Sequence, residues 1–279
     1  MRRTIALLTD FGTEDTYVGV MKGVMRGICP DADFVDLIHD IQPQNVREAA
    51  LALMSTYAYF PAETVFLVVV DPGVGGGVRR AIAVRAGDYM FVAPDNGVLT
   101  YALADLEIME SVVLTNERYQ VQPVSLTFHG RDIFSPAAAH LADGVALAEF
   151  GKPAGDLVRL STPVLVDKGD HLVGEVMHID HFGNVVTSIG NLMWVDQNLL
   201  ALTPRFGDAK QSLQIDAGGC MIEISGAQFR GLKRSYGECQ PGEALALVGS
   251  SGFLELAINQ GNYARESGSR VGDQVKVRR

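Results

Sequence analysis

Residues Val68–Val84 read VVVDPGVGGGVRRAIAV. The residues just after the glycines decide the kind of fold. A phosphate loop would end in Gly-Lys-Ser/Thr and open an amphipathic helix. Here the glycines run into RRAIAVRA, which alternates like a strand, and Gly73, Gly75, Gly76 and Gly77 are too crowded for G-x-G-x-x-G spacing. The stretch therefore reads as strand, turn, strand. Asp-Pro-Gly is a strong turn signal, and a turn with solvated charges is its simplest account. Alternation sends Arg79 and Arg80 to opposite faces, so one of them at most points into a site.

Outward from this stretch, strands and helices alternate. Thr4–Leu8 is a compact apolar run, as in a strand buried on both faces. Val18, Met21, Val24, Met25 and Ile28 recur at helical spacing within 15–28. Strand patterns occur at Asp33–Leu37, Thr64–Val70, Ala81–Val84, Tyr89–Ala93 and Val112–Thr115. Helix patterns cover Val46–Tyr59, Asn96–Leu106 and Asp132–Leu141. This order predicts an α/β domain over 1–155, its mostly parallel sheet flanked by helices. After the Gly- and Pro-containing stretch Lys152–Leu165 the pattern becomes short alternating segments (VGEVMHID, NVVTSI, SLQID, CMIEIS, EALALVG, QVKV). They predict a smaller C-terminal antiparallel β-barrel domain over 166–279.

Composition excludes several functions. The 279 residues are 47% hydrophobic and carry a net charge of −10 with no basic stripe, so nucleic acid is not an expected partner. No apolar run approaches the ~20 residues that span a bilayer, and none near the N-terminus is long enough for a signal peptide. Cys29, Cys220 and Cys239 lack metal or disulfide spacing. A reduced, cytoplasmic protein without membrane association is the expectation.

Four stretches carry polar residues without a packing reason. Asp10, in Thr9-Asp10-Phe11-Gly12, ends the first strand, where α/β sheets bind ligands such as ribose hydroxyls; a turn carboxylate reads equally well. Asp71 and the two arginines form the second group. His129, in SLTFHGRDIFSP, comes after a β-prone run and before a helix start, with Asp132 as the expected N-cap and Arg131 as its ion partner. A lone histidine of this kind is more often structural than catalytic. In His178–Asn184 (HIDHFGN) the histidines fall on different strand faces and no further ligand cluster is near, so no metal is expected. Phe182 and Asn184 suit stacking on a flat heterocycle and hydrogen bonding to it.

LLTDFGTEDTYVGVMKGV, ICPDADFVDLIHDIQP, VVVDPGVG, RRAIAV, APDNGVLT, TFHGRDIFSPAAAHLA, IDHFGNVVTSI and SSGFLELAINQG, in this order, resemble the S-adenosyl-L-methionine (SAM) hydrolases that form adenosine, or SAM hydroxide adenosyltransferases, relatives of the fluorinating and chlorinating enzymes. The resemblance covers essentially the whole chain. It implies an α/β domain followed by a barrel, homotrimers with active sites between subunits, and hydrolysis of SAM to adenosine and L-methionine without metal or cofactor. It implies that Asp71, an arginine and His129 surround the attacking water. Because GGGV carries one residue more than common members, Arg79 is the first choice and Arg80 the second. By the same resemblance Asp10 holds the ribose, Asp180 and Ser250 meet the methionine end with Ser251 beside them, and Phe182 and Asn184 hold the adenine. The halide-using relatives carry Tyr at position 71 and Tyr-Ser in place of His129-Gly130, so water is the expected nucleophile. A SAM halogenase and a non-catalytic SAM or adenosine binder are the alternatives.

Overall fold

The computed structural model describes residues 3–207 and 211–279; Met1 and Arg2 of the opening MRR lie outside them. The chain divides into two compact units, Met1–Leu160 and Ser161–Arg279. The Gly- and Pro-containing stretch 152–165 straddles that division.

The first unit contains strands β1 (Thr4–Thr9), β2 (Asp33–Ile38), β3 (Val65–Val69), β4 (Ala81–Ala86), β5 (Tyr89–Pro94) and β6 (Ile108–Val113), with helices α1 (Tyr17–Ile28), α2 (Val46–Met54) and α3 (Ser135–Ala142). They form one six-stranded sheet in the order β2-β1-β3-β5-β4-β6. The pairs β1/β2, β1/β3 and β3/β5 are parallel, whereas β4 runs against both of its neighbours. The two strands of the Val68–Val84 stretch are therefore not a hairpin. β5 lies between them, and the glycine loop crosses over its carboxyl end.

Period-two alternation sorts the sheet's side chains into two cores. Ile5, Leu7, Val65, Leu67, Val69, Ala81 and Ala83 pack with Met21 and Met25 of α1 and with Phe134, Ala138 and Leu141. Ala6, Leu8, Phe66, Val68, Val70, Ile82 and Val84 pack with Ala49 and Leu53 of α2 and with Tyr57, Val98 and Leu99. Burying one such side chain contributes roughly 1.5–3 kcal/mol, so each face is strongly held to its helices.

Three sequence expectations change. The Asn96–Leu106 stretch is turns ending in a 3₁₀ turn at Leu103–Asp105, since Gly97 at φ +94 breaks the helix its apolar spacing imitates. The second helix stops at Met54, and Tyr57–Tyr59 is a separate 3₁₀ turn. The run 126–128 directly before His129 is not a strand: His129 leads into a π-helical turn at Gly130–Phe134 that continues into α3.

The second unit contains β7 (Leu165–Asp167), β8 (His171–Ile179), β9 (Val185–Gly190), β10 (Leu192–Trp194), β11 (Leu199–Leu202), β12 (Leu213–Asp216), β13 (Met221–Ile224), β14 (Ala227–Arg230), β15 (Ala244–Val248), β16 (Phe253–Ile258), helix α4 (Tyr263–Ser267) and β17 (Gln274–Arg278). β10, β11 and β12 make a small antiparallel sheet. The rest form a sheet in the order β14-β13-β17-β8-β9-β16-β15, with β7 also on β8. Its outermost strands approach each other: Lys233, just beyond β14, bridges Leu247 of β15, and its N–H donates to the Ala246 carbonyl at 2.8 Å. The sheet is thus a nearly closed barrel, joined at this bridge. Among the described residues no helix is long and apolar enough to cross a membrane.

Candidate functional site

The first cluster forms at the carboxyl edge of the first unit's sheet. Asp71 lies two residues beyond β3 and Arg79 two residues before β4. Counting back by twos from Ala83 and Ala81 reaches Arg79, and counting forward from Leu67 and Val69 reaches Asp71, so both belong to the face covered by α1 and α3. His129 stands at the start of the turn that leads into α3 on the same face.

The three side chains meet. Arg79 Nε donates to Asp71 Oδ1 at 3.0 Å, and Nη2 donates to Asp71 Oδ2 and to His129 Nδ1, the latter at 2.9 Å. The Asp71 and Arg79 side chains are only 5% and 9% exposed. The guanidinium also lies over the Phe134 ring, 5.2 Å from its centroid. A guanidinium has no lone pair to offer, so His129 Nδ1 must accept, and the neutral imidazole carries its proton on Nε2. Burial, followed by the Arg79 charge, lowers the His129 pKa, with Asp71 and Asp132 opposing. The imidazole is therefore neutral at pH 7.

Arg80, on the other face, is a structural residue. It donates to Asp95 and to the carbonyls of Ala154 and Asp156, tying the 152–158 segment to the sheet. Asp132 does not cap α3: it accepts from Arg131 at 2.6 Å and from the Ser125 N–H at 2.8 Å, anchoring the loop before His129. The expected Arg131 partnership is present. The glycine loop needs its glycines sterically: Gly75 has φ +72, and a Cβ there would lie 2.2 Å from the Leu126 carbonyl oxygen.

Asp10 comes directly after β1 at the same sheet edge, and its Oδ2 accepts from the Gln44 N–H at 2.8 Å. Beside it Thr9, His39 and Asp36 form a hydrogen-bonded row, with Thr9 Oγ1 2.8 Å from His39 Nδ1 and His39 Nε2 2.9 Å from Asp36 Oδ1.

The second cluster is a cleft of about 860 Å³ in the second unit, lined by Asp180, Phe182, Asn184, Arg234, Tyr236 and Ser250 among others. Asp180 organises the HFGN turn: Oδ1 accepts from the N–H groups of Phe182 and Asn184, and Oδ2 accepts from the Asn184 side-chain amide at 2.9 Å. Gly183, at φ +85, lies so close to Asn262 that a Cβ would fall 2.1 Å from its side chain. This turn leaves the Phe182 ring 71% exposed, as a stacking platform requires. Ser250 lines the cleft, whereas Ser251 is exposed and outside its lining.

Sequence reasoning missed Tyr236 and Glu255, which also line this cleft. Glu255 had a signal, being a lone acid inside the apolar strand FLELAI, where it is 8% exposed. Tyr236, in a 3₁₀ turn, had none.

By fold this is a two-unit protein, a mixed α/β sheet followed by a nearly closed antiparallel barrel, with a part-buried Asp–Arg–His cluster in the first unit and an aromatic cleft in the second. The chain belongs to the SAM hydroxide adenosyltransferase family: the model of that family's N-terminal domain matches residues 5–151, and that of its C-terminal domain residues 174–276. An (R)-S-adenosyl-L-methionine hydrolase of Salinispora tropica is 38% identical over 98% of this chain and 97% of its own length. A fluorinase of Nocardia brasiliensis is 30% identical over 99% of this chain and 97% of its own. The crystal structure of an uncharacterized conserved protein from Thermotoga maritima, 34% identical, superposes with a TM-score of 0.85, covering 99% of this chain and 100% of that one.

Proposed function

We propose that this protein hydrolyses (R)-S-adenosyl-L-methionine to adenosine and L-methionine, by attack of water on C5′ of the ribose. The observation that carries the reading is the contact of Asp71, Arg79 and His129 in a chain 38% identical to an (R)-S-adenosyl-L-methionine hydrolase.

The sulfonium leaves as a neutral thioether and needs no acid, so the enzyme's task is to align and deprotonate one water. Holding that water in line with the C5′–S bond contributes several kcal/mol, about the lower part of what positioned reactants gain. Asp71 takes the proton: His129 Nδ1 is occupied by Arg79 and Nε2 carries hydrogen, so the carboxylate is the acceptor remaining in the trio. His129 Nε2–H orients the water oxygen, and Arg79 holds both partners and balances the carboxylate charge. The C5′–O bond forms as C5′–S breaks, the electron pair goes to sulfur, and the water proton goes to Asp71 and then to solvent. Neither a metal nor a redox cofactor has a step to perform in this scheme.

Asp10 binds the ribose hydroxyls, Phe182 and Asn184 hold the adenine, and Asp180 and Ser250, with Ser251 beside them, meet the methionine end. Asp180 and Ser250 do so beside a turn already organised by Asp180. We place the working form as a homotrimer with active sites between subunits, in keeping with the family resemblance; this arrangement accounts for substrate-binding groups on both units. Location in the cytoplasm accords with three cysteines that form no disulfide. A halogenase reading has the fluorinase relative in its favour, but the carboxylate at position 71 repels a halide where it orients a water.

Incubating purified protein with SAM, with and without chloride or iodide, tests the proposal. Adenosine and methionine in equal amounts support it. A 5′-halo product shows a halogenase, and tight binding without turnover shows a sensor.

A further inference from the structure

The cleft of the second unit contains a hydrogen-bond chain that runs from Asp180 through Asn184 and Tyr236 to Glu255. Tyr236 Oη donates to Glu255 Oε1. The Asn184 side-chain Nδ2 lies 3.4 Å from Tyr236 Oη and 2.9 Å from Asp180 Oδ2. A carboxylate only accepts, so Asp180 takes one amide hydrogen. At the other end burial raises the Glu255 pKa, the hydrogen bond from Tyr236 opposes that and the Asp180 charge adds to it, and the tyrosine hydrogen goes to Oε1. The tyrosine oxygen is left with lone pairs alone toward Asn184, and it takes the second amide hydrogen. Burial and the neighbouring Glu255 push the Tyr236 hydroxyl above its ordinary value, so it keeps the proton it donates. Space for the anchoring carboxylate is provided by Gly249, where a Cβ would lie 2.6 Å from Glu255 Oε2.

With both amide hydrogens engaged inside the protein, Asn184 has one group left to offer a ligand, the acceptor Oδ1. We infer that Glu255 and Tyr236 are positioning residues that lock the Asn184 amide with Oδ1 as the ligand-facing group, so that the cleft selects a purine bearing an exocyclic amino donor and rejects its 6-oxo counterpart. This inference rests on the adenosyl substrate proposed above. A 6-oxo group would place acceptor against acceptor at Asn184 Oδ1, which disfavours it by about 10²-fold.

The test compares kcat/KM for SAM with that for its 6-oxo analogue, S-inosyl-L-methionine, alongside calorimetric binding of adenosine and inosine. The wild-type protein is expected to prefer the amino compound in both by about 10²-fold. Tyr236→Phe frees one amide hydrogen and lets the amide turn, so the preference falls about tenfold or more, mainly through KM. Glu255→Leu does the same, whereas Glu255→Gln keeps an acceptor for the tyrosine and restores most of the preference. Thermal unfolding of each variant identifies any that fail to fold. Equal use of both compounds by the wild type overturns the lock while leaving SAM hydrolysis standing. Undiminished preference in folded Tyr236→Phe and Glu255→Leu also overturns it. If the wild type does not hydrolyse SAM, the adenosine and inosine affinities decide the question alone.

Discussion

Arg79 grips both carboxylate oxygens of Asp71, with Nε on Oδ1 at 3.0 Å and Nη2 on Oδ2, and the same Nη2 donates its second hydrogen to His129 at 2.9 Å. One planar guanidinium thereby sets the position of two groups that lie 58 residues apart in the chain, Asp71 and His129. The geometry suits arginine and not lysine, whose single ammonium cannot hold three acceptors in one plane. Arg79→Lys is expected to lower kcat about 10²-fold with a smaller change in KM, measured by adenosine release from SAM. Asp71→Asn removes the proton acceptor and is expected to lower kcat by about 10²–10⁴-fold. Full turnover in Asp71→Asn would sink the mechanism.

The pH dependence is tied to His129, whose pKa is lowered from 6.5 mainly by burial and then by Arg79. As pH falls through 6.5 the unfolded chain takes up a proton that the folded protein still refuses, so stability is full above that value and declines below it until the folded pKa is passed. Melting temperatures between pH 7 and 5 should fall less steeply in His129→Gln than in the wild type, leaving the part due to His140, which burial also lowers. Activity should decline only at lower pH, as the folded imidazole itself takes up a proton, because a protonated Nδ1 no longer accepts from Arg79. A slope unchanged in His129→Gln would remove this assignment.

Arg80 offers a contrast with its neighbour. Its partner Asp95 is 2% exposed, while Arg80 itself is 35% exposed. Arg80→Ala strands a buried carboxylate and releases two carbonyls, at a cost of about 2–3 kcal/mol, somewhat under the range for fully buried pairs because water reaches the arginine. Urea unfolding should show that loss, and the rate per folded molecule should remain far above that of Arg79→Lys.

Two glycines are expected to resist even the smallest side chain. Gly75→Ala would push a methyl group to 2.2 Å from the Leu126 carbonyl and shift the loop that carries Asp71 and Arg79. Gly183→Ala would collide with Asn262, which caps α4 by accepting from the Arg265 N–H at 2.8 Å. Each should cost about 1–3 kcal/mol of stability. The first should act mainly on kcat and the second on the affinity for adenosine, which stopped-flow and calorimetry separate.

Much of the architecture was legible without coordinates. Compact apolar runs such as Thr4–Leu8 specify strands buried on both faces, and alternating segments after Leu172 specify a barrel, because burial imposes a period of two on any strand. The Asn96–Leu106 stretch misled, since its apolar spacing satisfies a helix while Gly97 adopts a backbone conformation no helix contains. At the site, residue types and order named Asp71, His129 and the arginine pair, and alternation showed that Arg79 and Arg80 part company.

The sequence alone therefore determined the set of candidate groups and the parity of the strands that carry them. Which arginine joins Asp71 was decided by tertiary packing: α3 and the turn before it cover the face of the sheet to which Arg79 belongs, and bring His129 with them. Glu255 likewise comes beside Asn184 through the pairing of β16 with β9, and Tyr236 through the stretch beyond β14 that bridges to β15; such pairing between distant segments leaves no local periodicity to read.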